Sequence, residues 1–262
     1  MQNVWRYSVA YRADVTKQNI VNAMKIRLFT IPNMLTLANL VSGAIAVIAI
    51  LQYHNYALAM GLVVLAAVFD FLDGFVARLL NQQSPLGVQL DSLADDVTFG
   101  LVPALVMFDM YNHSASYYGC DCAVMGYMGY VTLMIAAFSV LRLAKFNIDT
   151  TQTTEFSGLP TPANALLLLS LAMLAQSGYI TLYQEHILLL SVAMSLLLIS
   201  PIRMFALKFK GFGWRGNELR YIFILVSLLI VAFATVYSIA IIITLYIVVS
   251  TLKWLFGSKE VK

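Results

Sequence analysis

The sequence predicts an all-α fold, a polytopic membrane helix bundle of about eight transmembrane helices. Three observations predict it. The apolar residues come in blocks of roughly 20, the length a helix needs to cross ~30 Å of hydrocarbon. Of the 262 residues, 61% are hydrophobic and 11% charged, whereas soluble domains carry about 25% charge. Finally, all sixteen Lys and Arg fall on one side of the membrane if the chain crosses eight times. No nucleic-acid partner is expected of such a chain, and the net charge of +3 says little.

Residues 1–32 read as a cytoplasmic, interfacial segment. Residues 15–29 mix Ile20, Val21, Met24, Leu28 and Phe29 with Lys17, Lys25 and Arg27, which suits a helix lying in the membrane interface. Residues 1–14 read equally well as a frayed basic tail. No secretory signal is expected, because no short apolar run is followed by a small-residue cleavage site. The expected crossings are 33–52, 56–80, 88–109, 122–144, 161–179, 186–206, 220–236 and 238–256. The first six form a transmembrane core, 33–206. Residues 207–262 supply a basic loop and two further crossings, between which no Gly or Pro marks the turn.

Charge sets the orientation. The loops near 53–55, 110–119 and 180–185 carry no Lys or Arg, and a seven-crossing chain would strand Lys253, Lys259 and Lys262 outside. Both termini are therefore expected in the cytoplasm. Cys120 and Cys122 are the only cysteines. They are too close for an unstrained disulfide and too few for a zinc site, and no role is assigned to them.

The informative stretch is Asp70–Asp96, which holds five of the thirteen acidic residues. Asp70 and Asp73 share one helix face at i,i+3, and Asp91 and Asp95 share one at i,i+4. The link 81–90 lets the two helices run antiparallel, so four carboxylates can converge near the inner membrane surface. Ionised and alone they would repel at a cost of several kcal/mol each, so they protonate or hold cations. Arg78 is the only nearby cation from the chain, and one arginine does not offset four aspartates. One or two bound divalent ions fit the hard oxygen donors. Gly74, Ala77 and Gly87 leave a notch beside them. Arg78 could be a snorkelling anchor, but next to the notch it is placed to grip a phosphate. Asp96 points about 100° away from Asp95 and reads as supporting or incidental.

The pattern D-x2-D-G-x2-A-R-x8-G-x3-D-x3-D, filled by Asp70, Asp73, Gly74, Ala77, Arg78, Gly87, Asp91 and Asp95, resembles the signature of the CDP-alcohol phosphotransferase family. Weaker resemblances in IPNMLTLANLVSG (31–43) and FSGLPTPANA (156–165) are to the family's integral-membrane phosphatidylserine synthases; Asp96 departs from their pattern, where an apolar residue is expected. The resemblance implies a six-helix core that dimerises. It implies two Mg²⁺ or Mn²⁺ ions, the first on Asp70, Asp73 and Asp91, the second on Asp70, Asp91 and Asp95. It places Gly74, Ala77, Arg78, Ser84 and Gly87 at the CDP group, with Asn33 and Thr36 assisting, and makes Asp95 the general base. The implied reaction transfers the phosphatidyl group of CDP-diacylglycerol to L-serine in the cytoplasmic membrane, at a site facing the cytoplasm. Arg142 and Lys145 could take the serine carboxylate, or be ordinary positive-inside residues.

Three alternatives remain at this level. A phosphatidylglycerophosphate or phosphatidylinositol-phosphate synthase would use the same centre with another alcohol. A cation transporter would use the aspartates as its path, although such sites usually lie near the midplane within inverted repeats. A protein that only holds nucleotide lipid would release no CMP.

Overall fold

A computed structural model describes residues 27–119, 123–149, 155–205, 213 and 217–257. Residues 15–26 of the expected interfacial helix, Cys120, Cys122 and most of the basic loop after 207 lie outside the described residues, and Arg27, Leu28 and Phe29 at its expected end are not helical. Eight helical stretches occupy the eight expected crossings. α1 is Ile31–Leu51 and α2 Tyr56–Leu79. α3, Pro85–Asp95, continues through a π-helical turn, Asp96–Leu101, into α4, Val102–His113. α5, Ala123–Met128, passes through a 3-10 turn into α6, Met134–Ile148. α7 is Thr161–Gln176, α8 Gln184–Ile199, α9 Glu218–Ala234 and α10 Ser238–Gly257. Four stretches are long and apolar enough to span a membrane, Ile31–Leu51, Tyr56–Leu79, Gly126–Ile148 and Glu218–Phe256, and α7 and α8 are shorter apolar helices.

Several boundaries differ from the sequence reading for local reasons. The third crossing starts at Pro85, not 88, so the link from α2 is only five residues. Ser84 caps α3 by accepting from the Gly87 amide at 3.0 Å, and Pro85 takes the first turn, the usual opening of a helix. The sixth crossing ends at Ile199, because Pro201 disfavours helix at Ser200. The chain then forms β2, Arg203–Phe205, which pairs antiparallel with β1, Glu155–Ser157.

The last two crossings are one apolar run bent back on itself. Thr235 makes the bend with φ +39°, a strained conformation for a β-branched residue. The return is shown by Phe223 of α9 lying 6.1 Å, ring to ring, from Tyr246 of α10. The bend packs at the end of α7, where Tyr179 and Tyr237 meet edge to face. Neither Gly nor Pro was needed for the turn, which is why sequence alone left it unmarked.

α1 is the hub of the bundle. It packs along α2 and also against α3, the π-helical turn and α4. Its buried face is small and polar, with Asn33, Thr36, Asn39, Ser42, Gly43, Ala46 and Ala49, which lets backbones approach closely. A Cβ on Gly43 would overlap the side chain and backbone of Thr98 in the π-helical turn. α2 and α3 thus rest on α1 and leave a cleft between them.

Candidate active site

Three of the four signature carboxylates close over this cleft. Asp70, near the end of α2, and Asp91 and Asp95 of α3 bring oxygen atoms within 4.8 Å of one another. No Lys or Arg among the described residues forms an ion pair with them, and buried Asp91 Oδ1 has no hydrogen-bond partner. Three close carboxylates with no ion-paired Lys or Arg in a membrane protein fit a divalent-cation centre better than a structural network. Asp73 stands beside the group. It is buried, and the Thr36 hydroxyl of α1 donates to its Oδ2.

α1 also holds Asp95. Asn39 Nδ2 donates to Asp95 Oδ1 at 3.0 Å, and Thr98 Oγ1 donates to the Asn39 carbonyl at 3.3 Å. The π-helical turn therefore locks the residue that orients Asp95. Wide turns of this kind often occur at functional sites. The sequence reading did not include Asn39; its only signal was a polar residue on the buried face of an apolar helix. Asp96 opens the π-helical turn, away from the three converging carboxylates, and its Oδ1 and Ser139 Oγ both crowd Gly100.

Next to the carboxylates lies a cavity of about 210 Å³. Asn33, Thr36, Asp73, Gly74, Ala77, Arg78, Ser84, Gly87 and Asp91 all line it, so the structure gathers every residue expected at the nucleotide group. Gly74 and Gly87 widen it. A Cβ on Gly74 would stand 3.4 Å from Arg78 Nη1, and one on Gly87 3.3 Å from Ser84 Oγ. Asn33 is steadied by donating to the Leu28 carbonyl at 2.8 Å. Gln82 and Gln83 also line the cavity, and Gln82 Oε1 is buried without a partner. Both were missed by sequence reasoning, because glutamine in a short link carries no distinctive signal.

The two cations proposed for the acceptor part company. Arg142 of α6 is buried, with Nε unpaired, and interacts electrostatically with Tyr246 and Asp95. Lys145 is exposed and donates to Ser157 Oγ at 3.3 Å. The segment 156–165 proves to be an architectural joint. Gly158, at φ +78°, sits so close to the Leu198 carbonyl that no Cβ fits. Its amide and that of Leu159 donate to the Ile202 and Leu197 carbonyls at 2.9 and 3.1 Å. Nearby Asn164 is fully buried, with both amide atoms unpaired.

Three carboxylates able to hold a cation, beside a cavity of about 210 Å³ in a membrane helix bundle, are the arrangement of a membrane-embedded phosphotransferase. The chain belongs to the CDP-alcohol phosphatidyltransferase family, whose model matches residues 29–200. Members of this family generally depend on divalent metal. The chain is 30% identical over 233 residues to the CDP-diacylglycerol–serine O-phosphatidyltransferase of Helicobacter pylori, covering 87% of this chain and 92% of that protein. It is 34% identical over 142 residues to the Bacillus subtilis protein of the same name, 54% of this chain and 75% of that one. With the Methanocaldococcus jannaschii protein of that name it shares 30% identity over 177 residues, 68% of this chain and 74% of the relative.

Proposed function

We propose that this chain transfers the phosphatidyl group of CDP-diacylglycerol to the hydroxyl of L-serine, releasing phosphatidylserine and CMP. The observation that carries the reading is the convergence of Asp70, Asp91 and Asp95 beside a cavity lined by the signature residues. The names of the relatives support serine as the acceptor.

Mg²⁺ or Mn²⁺, one or two ions on Asp70, Asp73, Asp91 and Asp95, would neutralise charge growing on the departing CMP. Arg78 and the Gly74/Ala77 notch hold the diphosphate, with Ser84, Gly87, Asn33 and Thr36 around the nucleotide. The unpaired Gln82 Oε1 is an acceptor suited to the cytosine amino group. Asp95, oriented by Asn39, takes the proton of the serine hydroxyl as that oxygen bonds to the lipid-linked phosphorus and the bond to CMP breaks. The buried, unpaired Arg142 Nε would take the serine carboxylate, with Lys145 assisting. The one-sided Lys and Arg put both termini and the centre in the cytoplasm, in a multi-pass protein of the cytoplasmic membrane. The units are the segment 1–32, the catalytic core 33–206 and the C-terminal part 207–262, and the active form is a homodimer.

The test is an acceptor screen. Purified protein is incubated with CDP-diacylglycerol, Mn²⁺ or Mg²⁺, and labelled serine, glycerol 3-phosphate, inositol phosphate or inositol, reading label in lipid and CMP release. Serine alone should enter lipid, with one CMP per phosphatidylserine. Incorporation of another alcohol instead assigns the chain to a different member activity, and absence of CMP release with every alcohol removes the enzymatic reading.

A further inference from the structure

The other end of α2 carries a second cluster that the transfer reaction does not use. His54 lies in the α1–α2 loop, and Asp109 and His113 lie one turn apart on α4. Their ligand atoms come within 4.8 Å of one another. His54 Nδ1 is 2.9 Å from Asp109 Oδ2, and His113 Nδ1 is 3.5 Å from Asp109 Oδ1. From Tyr56 to Asp70 the helix rises about 21 Å, so this cluster is remote from the acidic centre.

From this juxtaposition of two imidazoles and one buried carboxylate at the lysine- and arginine-free end of the bundle, we propose a binding site for a divalent transition-metal ion of the Zn²⁺ type. The donor set is two nitrogens and one oxygen, which suits zinc and its neighbours rather than Mg²⁺ or Ca²⁺. Ligands held at ~2.0–2.1 Å around a tetrahedral zinc stand roughly 3.3 Å apart. His54 Nδ1 and Asp109 Oδ2, 2.9 Å apart in a hydrogen bond, need open only slightly to reach that spacing, and His113 joins them by turning its ring.

Three further features point to a ligand. Asp109 is buried, 5% exposed, yet the loops at this end, 53–55, 110–119 and 180–185, contain no Lys or Arg to balance its charge. Tyr56 Oη donates to Asp109 Oδ2 at 2.8 Å, the kind of supporting contact that aims a metal-bound carboxylate. His54 is held at φ +47°, and its carbonyl accepts from Gln176 Nε2 of α7. The loop is thereby fixed in a strained conformation that points the imidazole at α4.

The imidazoles are half exposed, and both line a water-accessible cavity of about 520 Å³ that leaves room for a fourth, solvent ligand. Without an ion, a protonated His113 Nδ1 donates to the Asp109 carbonyl at 2.8 Å. The exposed ring is free to turn from that carbonyl to an ion. Bound there, the ion clamps the α1–α2 loop to the end of α4.

The test uses the full chain in detergent, stripped with chelator, and compares it with a His54→Asn/His113→Gln double variant. Asparagine tolerates the positive φ, and His113 is on the surface. Reloaded with Zn²⁺ and freed of excess ion, the wild type should retain one more Zn²⁺ per chain than the double variant. Its Co²⁺ form should show the strong visible bands of nitrogen-ligated, low-coordinate cobalt, which an all-carboxylate site does not give. Zn²⁺ should raise the wild type's melting temperature and leave that of the variant unmoved. Serine transfer with Mn²⁺ should be equal in the two, showing that the variant is folded. Equal zinc content and indistinguishable Co²⁺ spectra in the two proteins overturn the site. An inactive, unfolded double variant transfers the decision to single His113→Gln, whose zinc affinity should fall by about 100-fold or more, and an unchanged affinity there overturns the proposal too.

Discussion

The two ends of α2 gather polar residues in opposite ways. At the Asp70 end the acidic residues come from two helices and leave like charges facing one another, with no arginine or lysine ion-paired to them. At the Tyr56 end a single buried carboxylate, Asp109, is wrapped by two imidazoles and a phenol. The first arrangement is unstable until something cationic enters, which suits an exchanging, charge-rich substrate. The second turns two imidazoles and one carboxylate toward a single point, which suits one resident ion. Burial in an apolar bundle is common to both; the balance of charge separates a reacting centre from a clamp.

The largest expected effect breaks the acidic end. Asp91→Asn and Asp95→Asn should each reduce CMP release by about 1000-fold or more, the scale on which removal of a group acting in the transition state is felt. Asp95→Asn should still bind CDP-diacylglycerol, since it removes the proposed base and leaves intact the cavity, which Asp95 does not line. Normal turnover in that variant would remove Asp95 from the proton transfer. The second effect sharpens the comparison through α1. Asn39→Ala should lower kcat by about 10–100-fold, the cost of losing a group that orients a reacting side chain, with the KM for serine little changed. A pure stability loss with normal kcat would reduce Asn39 to a packing residue.

At the other end, Asp109→Asn should lower stability by about 1–3 kcal/mol, because Tyr56 and His54 lose a charged acceptor, while leaving kcat where it was. A loss of transfer activity in folded Asp109→Asn protein would show that the two ends are coupled.

The contrast also explains what could be read in advance. The acidic centre was legible because i,i+3 and i,i+4 spacings place each pair on one face, and because charge in an oily chain is conspicuous. Eight crossings followed from block length and the distribution of Lys and Arg. Asn39 and Gln82 were not legible, since their importance comes from what α1 and the α2–α3 link meet in space. The His54–Asp109 pairing spans 55 residues, and His54 sits in a loop that no periodicity constrains. The turn at Thr235 was hidden because tertiary packing against Tyr179 holds a conformation the residue itself disfavours. FSGLPTPANA resembles phosphatidylserine synthases, and its glycine serves the backbone joint between the start of α7 and the end of α8.

The smallest effect concerns the choice of nucleotide. Gln82 Oε1 is buried at the cavity wall with no donor, and a cytosine amino group would supply one. Gln82→Met keeps the length and apolar stem and removes the acceptor. The KM for CDP-diacylglycerol should rise by about 5–10-fold, near the net value of one hydrogen bond, with kcat unchanged. The more telling readout is competition by UDP-diacylglycerol, whose base presents a carbonyl where cytosine has its amine. Wild-type Gln82 accepts from cytosine through Oε1 and would have to turn its amide over to donate to that carbonyl, whereas the methionine variant, lacking both groups, should discriminate less between the two lipids. Equal loss of affinity for both would mean that Gln82 shapes the cavity without reading the base, and the discrimination would then belong to the α1 residues Asn33 and Thr36.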